Sequence, residues 1–73
     1  MNPRIVIDSQ VQGGRPVIKG TRVPVAAILG HLAGGDSREV IIREYRVTDE
    51  DIAAALEWAA ELVEAQQQPA RAS

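Results

Sequence analysis

Residues 24–66, PVAAILGHLAGGDSREVIIREYRVTDEDIAAALEWAAELVEAQ, decide the fold of this chain. Val25, Ile28, Leu29 and Leu32 recur at i, i+3, i+4 and i+7, the spacing of one helical face, and predict a helix over 24–33. Pro24 pre-sets φ for its first turn, and Gly34-Gly35 ends it. Asp36, with Glu39 three residues on, reads as a capping-box-like start to a second helix over 37–45. Val40, Ile41 and Tyr45 form its apolar side. Thr48 is a natural N-cap for a third helix over 49–66, where Asp49, Glu50 and Asp51 meet the positive end of the helix dipole. No glycine or proline interrupts that last helix.

Outward from this segment, Arg4-Ile5-Val6-Ile7-Asp8 is short, β-branched and bounded by polar residues, the pattern of a strand. Gly13-Gly14 supplies the positive φ of a tight turn, with Val17-Ile18 as the return strand. Residues 4–19 therefore read as a β-hairpin or a pair of extended arms. A lone two-stranded hairpin is marginal in water, so it must lie on the helices or pair with another chain. Gly20-Thr21-Arg22-Val23-Pro24 forms a second bend. The expected fold class is mainly α: a short N-terminal β-hairpin or extended arms, then a three-helix, helix-turn-helix-like core. Residues 1–66 make a single domain and 67–73 a polar, flexible tail.

At 73 residues the chain holds one small domain. It has no cysteine and one histidine, which excludes disulfides, thiolate zinc sites and multi-histidine metal sites. No cofactor or metal is expected. Its apolar 45% is padded with alanine and lacks phenylalanine, so the core buries little area per residue. Small domains of this kind add a partner, here a homodimer or higher homo-oligomer. Neither a signal peptide nor a membrane-spanning run is legible, and the expectation is a cytoplasmic protein with no membrane contact.

The net charge of −2 is unevenly divided. Residues 1–35 balance to +3 and residues 36–73 to −5. Arg15, Lys19 and Arg22 all lie on the hairpin and the bend. They are either a solvated loop, with Arg22 pairing a carboxylate of its own fold, or a set of DNA phosphate contacts. The third helix carries two apolar stripes about 135° apart on the helical wheel. Ile52, Leu56, Ala59 and Val63 form one; Ala54, Trp58, Leu62 and Ala65 form the other. Glu50, Glu57, Glu61 and Glu64 fill the remaining ridge. One stripe suffices to dock the helix. The second either serves a partner, with Trp58 as anchor, or is wrapped by the fold itself.

Catalytic patterns are poorly served, and no enzyme is expected. Ser9, Ser37 and Ser73 have no base nearby in sequence, and His31 reads as a surface residue. Asp49, Glu50 and Asp51 are adjacent, so they point apart and cannot share one metal. The run from Gly13 to Thr21 fails as a phosphate-binding loop: its order is Lys19-Gly20-Thr21 and Pro16 lies inside it.

The string Gly13-Gly14-Arg15-Pro16-Val17-Ile18-Lys19-Gly20-Thr21-Arg22-Val23-Pro24-Val25 resembles the signature of the domain-of-unknown-function 433 family. The likeness continues through Ala33-Gly34-Gly35-Asp36-Ser37, Ile42-Arg43-Glu44-Tyr45 and Asp51-Ile52-Ala53-Ala54-Ala55-Leu56. Arg46 follows Tyr45 where the family commonly has proline, which removes a stop signal between the second and third helices. Members resemble VapB-type antitoxins encoded beside a PIN-like ribonuclease toxin, with a homeodomain-like fold. The resemblance implies an antitoxin-like protein that neutralises such a toxin by direct binding and represses its own operon. Trp58, Leu62, Glu57, Glu61 and Glu64 would meet the toxin, and Arg15, Lys19 and Arg22 operator DNA. A stand-alone helix-turn-helix regulator and a non-catalytic dimeric adaptor are the alternatives. Three carboxylates opening the third helix oppose its entry into a groove by that end.

Overall fold

The structure, a computed structural model, describes residues 2–66; the expected tail over 67–73 lies outside the described residues. The chain is mainly helical, with an N-terminal hairpin of β1 (Ile5–Ile7) and β2 (Pro16–Ile18). Three helices follow: α1 (Val25–Ala33), α2 (Arg38–Tyr45) and α3 (Asp49–Ala65).

The strands pair antiparallel in the register Ile5↔Ile18, Val6↔Val17, Ile7↔Pro16. A left-handed 3-10 turn joins them, with φ +51° at Gln12, +65° at Gly13 and +87° at Gly14. Two of these three residues are glycines, which take that geometry without a Cβ clash. The next bend is held by Thr21. Its hydroxyl donates to the Ile18 carbonyl at 2.7 Å and accepts the Val23 N–H at 2.9 Å. Val23 and Pro24 then lie along β2: the Ile18 N–H donates to the Val23 carbonyl, and Val17 bridges Pro24. Pro24 is thus the last extended residue, with ψ 140°, and α1 opens at Val25 instead. The chain's own Gly-Thr-Arg-Val-Pro element closes one edge of the sheet.

The expected cap of α2 is corrected. Ser37, not Asp36, is the N-cap, its hydroxyl accepting the Val40 N–H at 3.2 Å. The Asp36 carboxylate turns back to His31, so Glu39 completes no box. Thr48 caps α3 as expected, in a full capping box. The Asp51 N–H donates to Thr48 Oγ1 at 3.1 Å, and the Thr48 N–H donates to Asp51 Oδ2 at 2.9 Å. Between α2 and α3, Arg46 takes the left-handed conformation, φ +56°, that ends a helix without proline.

Ile5, Ile18, Val25, Ile28, Ile41, Val47, Ile52, Ala54 and Ala55 form one buried cluster that joins hairpin and helices. The hairpin lies on the helices, as its marginal size requires. Arg4 fastens it further, its guanidinium donating to the nearly buried Asp51 at 3.0 Å. The Asn2 side chain donates to Glu57. These two ties hold the segment leading into β1 against the first half of α3.

Candidate functional site

Two surfaces carry the residues expected to recognise partners. The first is the hairpin and bend. Arg15, Lys19 and Arg22 are exposed, and none joins an ion pair among the described residues, so Arg22 does not pair with its own fold. Lys19 and Arg22 flank the Thr21 bend, whereas Arg15 sits at the other end of β2, beside Pro16, whose partner across the sheet is Ile7. Four residues of extended chain, about 13 Å, separate Arg15 from Lys19. The three cations therefore line a ridge rather than converge on a point. Ile7, with exposed Asp8 next to it in the chain, is 54% exposed.

The second surface is the far half of α3. The helix is about 25 Å long at 1.5 Å per residue. Its buried residues, Asp51, Ile52, Ala54 and Ala55, all lie in the first two turns. Trp58 and Ala59 are half-buried, and every described residue beyond them is exposed. The docking face falls between the two expected stripes and takes members of each: Ile52 from one, Ala54 and Trp58 from the other. Leu56 and Val63, expected to share a stripe with Ile52, are 43% and 64% exposed. The wheel positions of Ala55 and Trp58 explain this, since the core approaches the helix along their common line. Beyond the core, two apolar flanks border the glutamate ridge. Trp58, Leu62 and Ala65 lie on one side, where they line, with Glu61, a concavity of about 180 Å³. Leu56 and Val63 lie on the other side.

The charges on α3 are one-sided. It holds six carboxylates and no lysine or arginine. Asp51 and Asp49 are answered from other elements, by Arg4 and by Arg38 Nε at 2.7 Å. That hydrogen bond holds the Asp49 carboxyl below its ordinary value and raises the Arg38 guanidinium. Glu57, Glu61 and Glu64 meet no cation among the described residues.

A third cluster escaped the sequence reading. His31, expected at the surface, is half-buried and bridges α1 to its neighbours. Its Nδ1 lies 2.5 Å from Asp36 Oδ2, and its Nε2 lies 2.8 Å from the Tyr45 hydroxyl. The two rings meet edge to face, centroids 5.3 Å apart. In the tautomer with the proton on Nδ1, that nitrogen donates to Asp36 and Nε2 accepts the tyrosine proton. Tyr45 lies 14 residues away on another helix, so no local pattern announces the pair. The cluster flanks an open concavity of about 400 Å³ lined by Ala27, Gly30, His31, Gly34 and Asp36. Among the described residues no group of three or more His, Cys, Asp or Glu is placed to hold a metal, and no helix is long and apolar enough to cross a membrane.

Comparison with known proteins places this arrangement in a family. Over 24 residues, 33% of this chain and 67% of the relative, the sequence is 67% identical to an uncharacterized protein of Archaeoglobus fulgidus. The fold is similar to the crystal structure of a DUF433 member protein from Anabaena variabilis, with a TM-score of 0.76 at 30% identity. That likeness covers 89% of this chain and 64% of the other, so this chain spans less than two thirds of that relative. The sequence also matches the family described as "Protein of unknown function (DUF433)" over residues 5–59, which takes in the hairpin, the Thr21 bend, α1, α2 and α3 as far as Ala59. The chain belongs to the DUF433 family.

Proposed function

We propose that this protein is an antitoxin-like module that neutralises a PIN-like ribonuclease toxin by direct binding. One observation carries the reading: the last turns of α3 leave the core and present Trp58 and Leu62 in a concavity that Glu61 also lines, with Glu57 and Glu64 farther round the same ridge and no cation on the helix. An apolar anchor with an acidic border fits a groove whose rim is basic. A ribonuclease presents such a rim, because it must hold phosphates. The module is read as non-catalytic, with His31, Asp36 and Tyr45 as a structural clasp between α1 and α2.

Co-expression with the product of the adjacent gene, followed by pull-down, tests the proposal. A stable complex with a PIN-like protein supports it, and the absence of any complex refutes it. In that complex Trp58→Ala should weaken binding by about 1–2 kcal/mol or more.

A second reading, operator binding and autorepression, rests on Arg15, Lys19 and Arg22, which are exposed and unpaired among the described residues. Asp49, Glu50 and Asp51 at the start of α3 oppose groove entry by that end, so the cationic ridge would make the contacts. Binding to the protein's own promoter should fall with salt and vanish when all three cations become alanine. No gel shift even at low salt would dismiss this reading.

A further inference from the structure

The end of α3 is built as three lines along the helix axis, each spaced i, i+4, i+7. Leu56, Ala60 and Val63 form an apolar line, and all three are exposed. One residue on, Glu57, Glu61 and Glu64 form an acidic line. One residue further, Trp58, Leu62 and Ala65 form a second apolar line. Each step turns by about 100°, so the glutamates run midway between two apolar lines set about 200° apart. The remaining side, at half-buried Ala59, faces the core.

A partner laid flat on the Trp58 line would leave Val63, 64% exposed, in water and the carboxylates at its edge. A helix is only about 10–12 Å across, so one groove can reach both apolar lines and take the glutamates on its floor. That floor must be cationic. Among the described residues Glu61 and Glu64 meet no cation, and Glu57 accepts from the neutral Asn2 side chain. A second α3 has no cation to offer such a line.

We infer that the partner holds the end of α3 in one groove that straddles the glutamate line, covering Leu56 and Val63 as well as Trp58 and Leu62, and that this groove is where the toxin binds RNA. The inference rests on the antitoxin reading and gives it a mode of inhibition, the exclusion of substrate. Single-stranded RNA is held by a cationic track with stacking surfaces beside it. The carboxylates follow one another at about 6 and 4.5 Å along the axis. Charges along one stacked nucleic-acid strand repeat at about 3.4 Å, a spacing of the same order. Trp58 adds a flat aromatic ring beside that line of charge. The end of α3 thus offers the groove the same chemistry as a strand of RNA.

Calorimetric titration of the full chain into the ribonuclease encoded by the adjacent gene tests this. Val63→Ser and Leu62→Ser, on opposite sides of the glutamates, should each weaken the complex about tenfold. Glu64→Gln should weaken it and flatten its salt dependence, while Glu44→Gln, exposed on α2, should change neither. A cleavage-resistant single-stranded oligoribonucleotide, at about ten times its own Kd for the toxin, should raise the apparent Kd of the complex about tenfold. Circular dichroism checks that each variant keeps its helices. Absence of any complex refutes the antitoxin reading and this inference with it. A complex indifferent to Val63→Ser, or one that the oligoribonucleotide does not weaken, overturns this inference alone. So does a Val63→Ser effect confined to self-association in sedimentation of the free chain, which would assign that line to a second copy.

Discussion

Replacing Asp51 by alanine tests how the hairpin and the helices are joined. Asp51 is 8% exposed, and its carboxylate accepts two hydrogen bonds, from the Thr48 N–H of the capping box and from Arg4; its own N–H still reaches Thr48 Oγ1 in the alanine variant. Loss of a capping side chain costs about 0.5–2 kcal/mol. Arg4 is half exposed, which limits its ion pair to about 0.2–1 kcal/mol. The Thr48 N–H, left without its acceptor, turns to water at an exposed residue and adds little. The expected loss is about 1–3 kcal/mol. For a domain of this size each kcal/mol lowers Tm by about 4–8 °C, so melting should fall by about 4–24 °C. Thermal unfolding followed by circular dichroism, at one fixed protein concentration, reads the shift. Asp51→Asn keeps an acceptor for the Thr48 N–H but loses the charge, and should cost less than alanine. An alanine variant that melts within about 2 °C of wild type would refute the reasoning.

Arg46→Gly should stabilise the protein by about 0.5–1 kcal/mol, because only the side chain resists φ +56°; urea denaturation measures it. Ile52→Ala should cost about 2–5 kcal/mol, since Ile52 is fully buried where α3 meets the core, and the same assay applies. The Asp49 carboxyl, held low by its bond to Arg38, contributes stability that is present above its unfolded pKa and lost as pH falls through the depressed folded value. An NMR titration should find it low in wild type and back near ordinary in Arg38→Ala. His31→Ala should loosen the α1–α2 corner, seen as faster amide exchange at the ends of both helices, because Asp36 and Tyr45 lose their shared partner.

The elements of the fold were legible because their signals are local. Val25, Ile28, Leu29 and Leu32 fix a helical face, Thr48 and Asp51 announce a cap, and Gly13-Gly14 announces a turn. The cap of α2 was misplaced because Asp36 and Ser37 are both good caps, and the choice between them fell to His31, five residues back. The two-stripe reading of α3 located apolar surface in excess of the core's need but not its division. Periodicity gives the angular spread of side chains; only the approach direction of the other elements selects which are buried. Likewise, the cationic trio was visible as composition, while its spread along a ridge followed from the strand register.

The edges of the small sheet have one more consequence. The Val23–Pro24 segment lies along β2, and at β1 the buried Ile5 leaves little backbone accessible, so open strand edge is confined to the neighbourhood of Ile7. A chain with so short a free edge offers almost no template for sheet-to-sheet growth. A small protein that keeps apolar residues exposed for recognition runs a standing hazard of indiscriminate clumping. Here that exposure is mostly helical, where contacts depend on shape and charge rather than on backbone pairing that any sequence can supply. Sealing the sheet is what makes a sticky helix tolerable.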